Sequence, residues 1–108
     1  MSVKQIEEYR AEIDSIDRQV LGLLNHRAKM ARRVGALKLH AELPLGDKRR
    51  ERLILERLQK SNSGPLENSS VRRIFRVIIR ESRRLQDALD NPSSSKTPRS
   101  ENQGVGRS

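Results

Sequence analysis

Apolar residues recur along the first third of the chain in alternating steps of three and four. The apolar positions on this line are Ile6, Tyr9, Ile13, Ile16, Val20, Leu23, Met30, Val34 and Leu37, and Arg27 holds the position between Leu23 and Met30. Such a spacing, held over about five heptads, predicts one long amphipathic helix. Pro44 stops this helix, because a proline cannot continue a helix and disfavours helical backbone at Leu43.

Two shorter helices are predicted after the proline. The second begins after Asp47, a good N-cap residue, and stops at residues 62–65 (NSGP), where glycine and proline favour a helix end. The third begins near residues 68–70, and its apolar side includes Val71, Ile74, Phe75, Ile78, Ile79, Leu85 and Leu89. Because no segment has a strand pattern, the fold class is all-α, with three helices per chain.

The length of the first helix predicts a partner. At ~1.5 Å per residue, nearly forty residues span roughly 55–60 Å, about twice the diameter of a domain this small. Such a helix cannot bury its apolar line against the rest of its own chain. We therefore expect it to pack along a second copy, in a homodimer.

The C-terminal segment has a different composition. Residues 90–108 are rich in serine, proline and glycine and hold one aliphatic residue apart from glycine and proline, Val105. They cannot bury enough apolar surface to offset the entropy of ordering. The expected organisation is a folded domain over residues 1–89 and a disordered polar tail over residues 90–108.

Charge and composition restrict the function. The 108 residues carry a net charge of +9, which suits an anionic partner. The absence of cysteine excludes disulfides and thiolate metal sites and is compatible with a reducing compartment, so we expect a cytoplasmic protein. The start, MSVKQIEEYR, lacks the apolar part of a secretory signal, and no apolar run is long enough to span a membrane.

Two cations of the first helix break its pattern. Arg27 occupies a position on the apolar line, and Lys38, eleven residues later, returns to within about 20° of the same face. An unpaired buried guanidinium is prohibitive, so Arg27 must face an anion or water. Both cations could bind an anionic ligand. Alternatively, Arg27 forms an ion pair in the core or extends its side chain to solvent, and Lys38 is a solvated surface charge.

Two further features lie on the other helices. The first turn of a helix favours acidic residues, but the first turn of the second helix carries Lys48, Arg49 and Arg50. A bound anion would neutralise these cations. The alternative is a basic surface cluster that Asp47 and Glu51 partly neutralise. Ser82 and Gln86 are spaced i, i+4 on the apolar face of the third helix. They predict a polar pocket lining or a satisfied pair at a helix crossing.

Together these features predict a site that binds a small dianion. Cations and neutral hydrogen-bond donors on three helices can stabilise a bound anion and its reaction by electrostatics alone. The sequence has no metal-ligand spacing and no glycine-rich phosphate loop, and we expect neither a metal nor a cofactor.

Four segments in this order resemble the all-α chorismate mutases. They are IDSIDRQVLGLLNHRAKMARRVGALK (residues 13–38), LGDKRRERLILERL (45–58), GPL (64–66) and VRRIFRVIIRESRRLQ (71–86). The resemblance covers residues 6–89 and departs locally at Gly46, where relatives often carry a larger residue. It implies an intertwined helical homodimer that converts chorismate, a dianion, to prephenate in phenylalanine and tyrosine biosynthesis.

The resemblance also implies a role for each site residue. Arg27 would bind one substrate carboxylate, and Arg10 of the partner chain the other. Lys38 and Gln86, the catalytic pair, would donate to the ether oxygen. The remaining substrate-binding residues would be Asp47 (through its backbone) and Glu51 at the ring hydroxyl, Ser82 at a carboxylate, and Arg50 in support.

Three alternatives stay open from the sequence. An isochorismate-pyruvate lyase has the same fold and a similar cationic pocket. A mutase-like domain can also bind the first enzyme of the shikimate pathway and be controlled with it. A nucleic-acid-binding protein fits the positive charge less well, because the basic residues are scattered over three helices instead of forming one outer stripe.

Overall fold

The chain is all-α, as the pattern predicts. A computed structural model describes residues 2–90, which form helices α1 (Val3–His40), α2 (Lys48–Ser61) and α3 (Asn68–Asp90). The helix α1 ends at His40, four residues before Pro44. The tail prediction from residue 91 onward lies outside the described residues.

The chain divides into two compact units within α1. The first unit ends at Met30 and the second begins at Ala31. The second unit therefore contains the last turns of α1 together with α2 and α3, and its core and its site are described as one body below.

A hydrogen-bonded turn ends α1. The Leu43 amide donates to the carbonyl of Lys38 at 2.7 Å, and the Glu42 amide donates to that of Leu39 at 3.1 Å. This is the pattern of a Schellman motif, in which the residue at C′ adopts the left-handed conformation. Glu42 holds that position with φ 59°, although glycine is the residue that adopts it without a steric cost.

The second unit is built on α2 and α3, which pack against each other. Asp47 caps α2 as predicted, because its Oδ1 accepts a hydrogen bond from the Arg50 amide at 2.9 Å. After α2, the Asn62 side-chain amide donates to the carbonyl of Leu66 and to Asn68 Oδ1, at 2.7 and 2.8 Å. These bonds join the end of α2 to the start of α3 across the short connection.

The apolar side of α1 stays open to solvent. Its exposed residues are Ile6, Tyr9, Ile13, Ile16, Val20, Leu23, Met30, Val34 and Leu37, with exposed fractions from 37% to 70%. Among the hydrophobic side chains of residues 2–90, Val71 alone is buried. Burying a side chain such as leucine stabilises by about 1.5–3 kcal/mol, so most of the stabilisation that this apolar line could supply is unused in one chain.

The left-handed Glu42 gives a stability prediction. Glu42→Gly should raise the free energy of unfolding by about 1 kcal/mol, because glycine removes the steric cost of a left-handed residue. Urea unfolding at a fixed chain concentration measures the change. Glu67→Gly, a substitution of the same type just before α3, is the control for the added freedom of glycine in the unfolded chain. If Glu42→Gly destabilises the protein as much as this control does, the Glu42 turn is not strained.

Candidate functional site

Lys38 lies in the last turn of α1 and is half-buried. Its Nζ is 3.5 Å from the Leu45 carbonyl oxygen, a long contact for an ammonium donor. Among residues 2–90 no carboxylate lies within ion-pair distance of it. No carboxylate of these residues therefore neutralises its charge, while its carbonyl is held by the turn that ends α1.

Gln86 approaches the same part of α1 from α3. Its side-chain amide donates to the Ala31 carbonyl at 2.8 Å, across 55 positions of sequence. Gly35 allows this approach, because an added Cβ there would lie 2.9 Å from Gln86 Cγ and 3.4 Å from Leu89 Cδ1. The buried glycine lets α3 pack close to the α1 backbone and thus positions Gln86.

The start of α2 contributes three of the predicted residues. Asp47 caps the helix, Arg50 is exposed, and Glu51 is half-buried one turn into α2. Because Asp47 and Glu51 lie four positions apart, both belong to the same side of the helix start. Glu51 also lines a groove between α2 and α3.

The other three predicted residues divide between the two units. Ser82 is half-buried on α3, one turn before Gln86, as the i, i+4 spacing predicts. Arg27 and Arg10 belong to the first unit. Arg27 is half-buried, whereas Arg10 is exposed and forms an ion pair with Glu7 at 3.1 Å.

One contact beside these residues was not expected from the sequence. The guanidinium of Arg83 lies directly over Gly46, and its Cζ is 3.1 Å from the position that a Cβ at Gly46 would occupy. Arg83 also donates through Nε to Asp87 Oδ1 at 2.9 Å. In the sequence, only the glycine before the cap of α2 could have indicated this contact. A larger residue at that position would displace the Arg83 guanidinium.

Two kinds of site find no support in the part of the chain that the structure describes. No group of three or more histidine, cysteine, aspartate or glutamate residues is placed to hold a metal ion. Over the same residues, no helix has both the length and the apolar character of a membrane span.

The close approach at Gly35 gives a second stability prediction. Gly35→Ala should lower the free energy of unfolding by about 1–3 kcal/mol, because the new methyl group collides with Gln86. Gly22→Ala is the matched control: no atom lies within 4 Å of its added Cβ, so higher helix propensity should stabilise by up to about 1 kcal/mol. Urea unfolding of both variants measures the difference. Equal stabilisation by the two alanines would show that α3 does not pack tightly on Gly35.

Comparisons with known proteins show the family to which this chain belongs. Residues 9–87 match the family model of chorismate mutase type II. The bifunctional chorismate mutase/prephenate dehydratase of Aquifex aeolicus is 40% identical over 81 residues, which are 71% of this chain and 22% of that protein. The chorismate mutase of Methanocaldococcus jannaschii is 30% identical over 86 residues, covering 78% of this chain and 86% of that protein.

A solved structure extends the similarity to the fold. The chorismate mutase of Helicobacter pylori, in complex with prephenate, matches with a TM-score of 0.73 and 29% identity, covering 82% of this chain and 97% of that chain. The chain spans only about a fifth of the length of the bifunctional relatives, 22% in the Aquifex aeolicus protein. It covers 86% of the chorismate mutase of Methanocaldococcus jannaschii, and it belongs to the type II chorismate mutase family.

Proposed function

We propose that this chain is an isomerase that converts chorismate to prephenate, on the route to phenylalanine and tyrosine. The reaction is a Claisen rearrangement within one molecule: the ether C–O bond breaks as a new C–C bond forms, with no net proton transfer. Family membership supports this activity, as does a structural neighbour that holds prephenate.

The proposal depends most on Lys38. The residue is half-buried, the contact of its ammonium with the Leu45 carbonyl is long, and no described carboxylate neutralises its charge. Negative charge grows on the ether oxygen as its bond to carbon breaks. A positioned ammonium stabilises that charge more than it stabilises the substrate, which is the condition for acceleration.

Gln86 is proposed as the second donor to the ether oxygen. Its amide is neutral, so it can add a hydrogen bond without a second desolvated charge. In the free chain it donates to the Ala31 carbonyl, and the Gly35 contact restricts its stem. It would exchange that carbonyl for the ether oxygen when the substrate binds.

The two carboxylates of chorismate are assigned to arginines. Arg27 would bind one of them, since a guanidinium offers a bidentate fork to a carboxylate. Arg10 of a second chain would bind the other, because its ion pair with Glu7 is exposed and easily exchanged. Holding both ends favours the compact conformer in which the reacting carbons meet.

Four residues complete the proposed site. Glu51 and the backbone at Asp47 would hold the ring hydroxyl, Ser82 would support a carboxylate, and Arg50 would lie nearby in support. Asp47 suits this role because its carboxylate is already engaged with the Arg50 amide, which fixes the helix start. No cofactor is required by a pericyclic step of this kind.

The proposed active form is a homodimer in the cytoplasm. The exposed apolar line of α1 supports dimerisation, since a second copy can cover it with the same residues. A further complex with a shikimate-pathway enzyme is a second proposal, favoured only by the positive charge of the chain.

The role of Lys38 gives the direct test of activity. Lys38→Ala should lower the kcat for chorismate by about a hundredfold or more, because a donor to the developing charge is lost. Prephenate formation by the purified protein measures it. Lys60→Ala, at the exposed end of α2, is the matched control and should keep the wild-type rate.

Two results would contradict the mutase proposal. Near-normal turnover by Lys38→Ala would remove Lys38 from the mechanism. Release of pyruvate from isochorismate, without prephenate from chorismate, would make the protein a lyase of the same fold.

The role of Arg10 can be tested by mixing two inactive variants. In a dimer of Arg10→Ala with Lys38→Ala, one site has Arg10 from one chain and Lys38 from the other, and the second site has neither. Random mixing in equal amounts should therefore restore about a quarter of the wild-type rate, because half of the dimers are mixed and each has one intact site. If Arg10 served its own chain, no mixture would recover activity.

A further inference from the structure

The Arg83 side chain reaches from α3 to the connection between α1 and α2. Arg83 is half-buried and lies between Ser82 and Gln86, two residues of the proposed site. Its guanidinium lies over Gly46, with Cζ 3.1 Å and Nη2 3.3 Å from the position that a Cβ at Gly46 would occupy. A planar guanidinium can pack flat on a backbone that carries no side chain. The contact therefore depends on a glycine at position 46.

The backbone conformation of Gly46 does not itself require a glycine. Within residues 2–90, the glycine with a positive φ is Gly64, at 82°. A residue with a side chain can therefore adopt the backbone of Gly46 without strain. What the structure gains from the glycine is the space that the Arg83 guanidinium fills.

A second contact orients Arg83. Its Nε donates to Asp87 Oδ1 at 2.9 Å, one turn further along α3. The two side chains are 43% and 55% exposed, so the ion pair contributes little to stability. Its consequence is geometric: with Nε held, the guanidinium keeps the orientation in which its other two nitrogens face Gly46.

The connection at Gly46 carries two groups that belong to the proposed site or contact it. The carbonyl oxygen of Leu45 lies 3.5 Å from Lys38 Nζ. The backbone at Asp47 is the proposed partner of the ring hydroxyl, and Asp47 also caps α2. Of residues 41–47, Leu45 is half-buried and the others are exposed. Because exposed segments open easily, a contact at Gly46 restrains the backbone between these two groups.

We propose that Arg83 is a positioning residue for the proposed site. Its guanidinium, packed on Gly46 and oriented by Asp87, holds the connection where the Asp47 backbone meets the ring hydroxyl of the substrate. Arg83 acts through Gly46 and does not itself contact the substrate. The inference rests on the proposed function and deepens it, because it names the side chain that holds one hydrogen-bonding group of that site.

The alternative role for Arg83 is attraction of the dianionic substrate by its charge. Four other cations line the same groove between α2 and α3: Lys48, Arg52, Arg76 and Arg80. Loss of one cation among five changes this attraction little, whereas loss of the guanidinium removes the contact at Gly46. The two roles also differ in their dependence on salt, because salt screens attraction between charges and leaves packing unchanged.

The kinetics of Arg83→Ala test the positioning role. The KM for chorismate should rise about tenfold with kcat within about threefold of wild type, because the hydroxyl contact serves substrate and transition state alike. Arg83→Lys should raise KM as much, since an ammonium keeps the charge but lacks the planar group that packs on Gly46. Sodium chloride should leave the ratio of variant KM to wild-type KM unchanged. Prephenate formation measures both constants.

Arg84→Ala is the matched control. Arg84 is the next residue of α3, is exposed, and also pairs with a carboxylate one turn away, that of Glu81 at 3.3 Å. The three atoms nearest to a Cβ at Gly46 all belong to Arg83. Arg84→Ala should therefore keep the wild-type KM, although it removes the same charge from the same helix.

A double variant tests whether Arg83 acts through Gly46. Gly46→Ala alone should raise KM as much as Arg83→Ala does, because its methyl group displaces the guanidinium. Gly46→Ala combined with Arg83→Ala should raise KM no further than either substitution alone, because both remove one shared contact. Additive increases in the double variant would overturn the proposal, since the two residues would then act independently.

Hydrogen exchange of the connection is a readout that does not depend on turnover. In Arg83→Ala and in Gly46→Ala, the amides of residues 45–47 should exchange several times faster than in wild type, relative to the intrinsic rate of each sequence. Arg84→Ala should leave this exchange unchanged. Wild-type exchange in both of the first two variants would overturn the proposal, as would a wild-type KM of Arg83→Ala or of Arg83→Lys.

Urea unfolding of the same variants separates positioning from a structural role. A purely structural Arg83 would lower the free energy of unfolding on substitution while KM and exchange stay at wild type, which would overturn the proposal.

Failure of the mutase activity and failure of the positioning role give different results. A wild-type chain that forms no prephenate, with faster exchange in the two variants, would remove the activity and still support the hold of Arg83 on the connection. Normal turnover by wild type, with unchanged KM and exchange in Arg83→Ala, would remove the positioning role and leave the activity.

Discussion

The apolar line of α1 is the constraint on which the rest of this structure depends. The nine large hydrophobic residues of this line are exposed in the single chain, while Val71 is the one buried hydrophobic residue in residues 2–90. A chain with so little internal burial is marginal by itself, because conformational entropy opposes folding over every ordered residue. Covering the line with a second copy would remove that deficit and, in the proposed function, would also bring two active sites together.

In the proposed homodimer, the same constraint explains why polar residues can lie where a monomeric protein would place leucine. A helix that packs against its own chain needs an unbroken apolar face, whereas a helix shared between copies can open a cavity in the interface. Arg27 interrupts the apolar line and is half-buried there. In the proposed function this interruption is the place where a substrate carboxylate enters.

In the second unit, three residues of the proposed site contact the backbone or have a backbone group held in place. Lys38 is held by the turn that ends α1, Gln86 by the Ala31 carbonyl, and Asp47 by the amide that it caps. In the proposed function, the polar ends of these side chains would change partner when the substrate binds. A site arranged in this way loses little energy to reorganisation during the reaction, which is what an electrostatic mechanism requires.

The sequence by itself determined the three helices, the cap at Asp47, the end of α2 near Gly64 and the i, i+4 relation of Ser82 to Gln86. These features depend on a few neighbouring residues, so periodicity and capping rules reveal them. The resemblance in four segments gave the family, which the comparisons confirmed. The end of α1 at His40 was harder to predict from the sequence, because Glu42 occupies the left-handed position after the helix where a glycine is usual.

Only the tertiary structure decided which side chains meet across long separations. Three such features are the bond from Gln86 to Ala31, the guanidinium of Arg83 over Gly46 and the groove between α2 and α3. Each joins a helix to a distant part of the sequence. Their positions depend on how far one helix slides and rotates against the next. Packing of whole helix faces sets those quantities, and no local rule contains them.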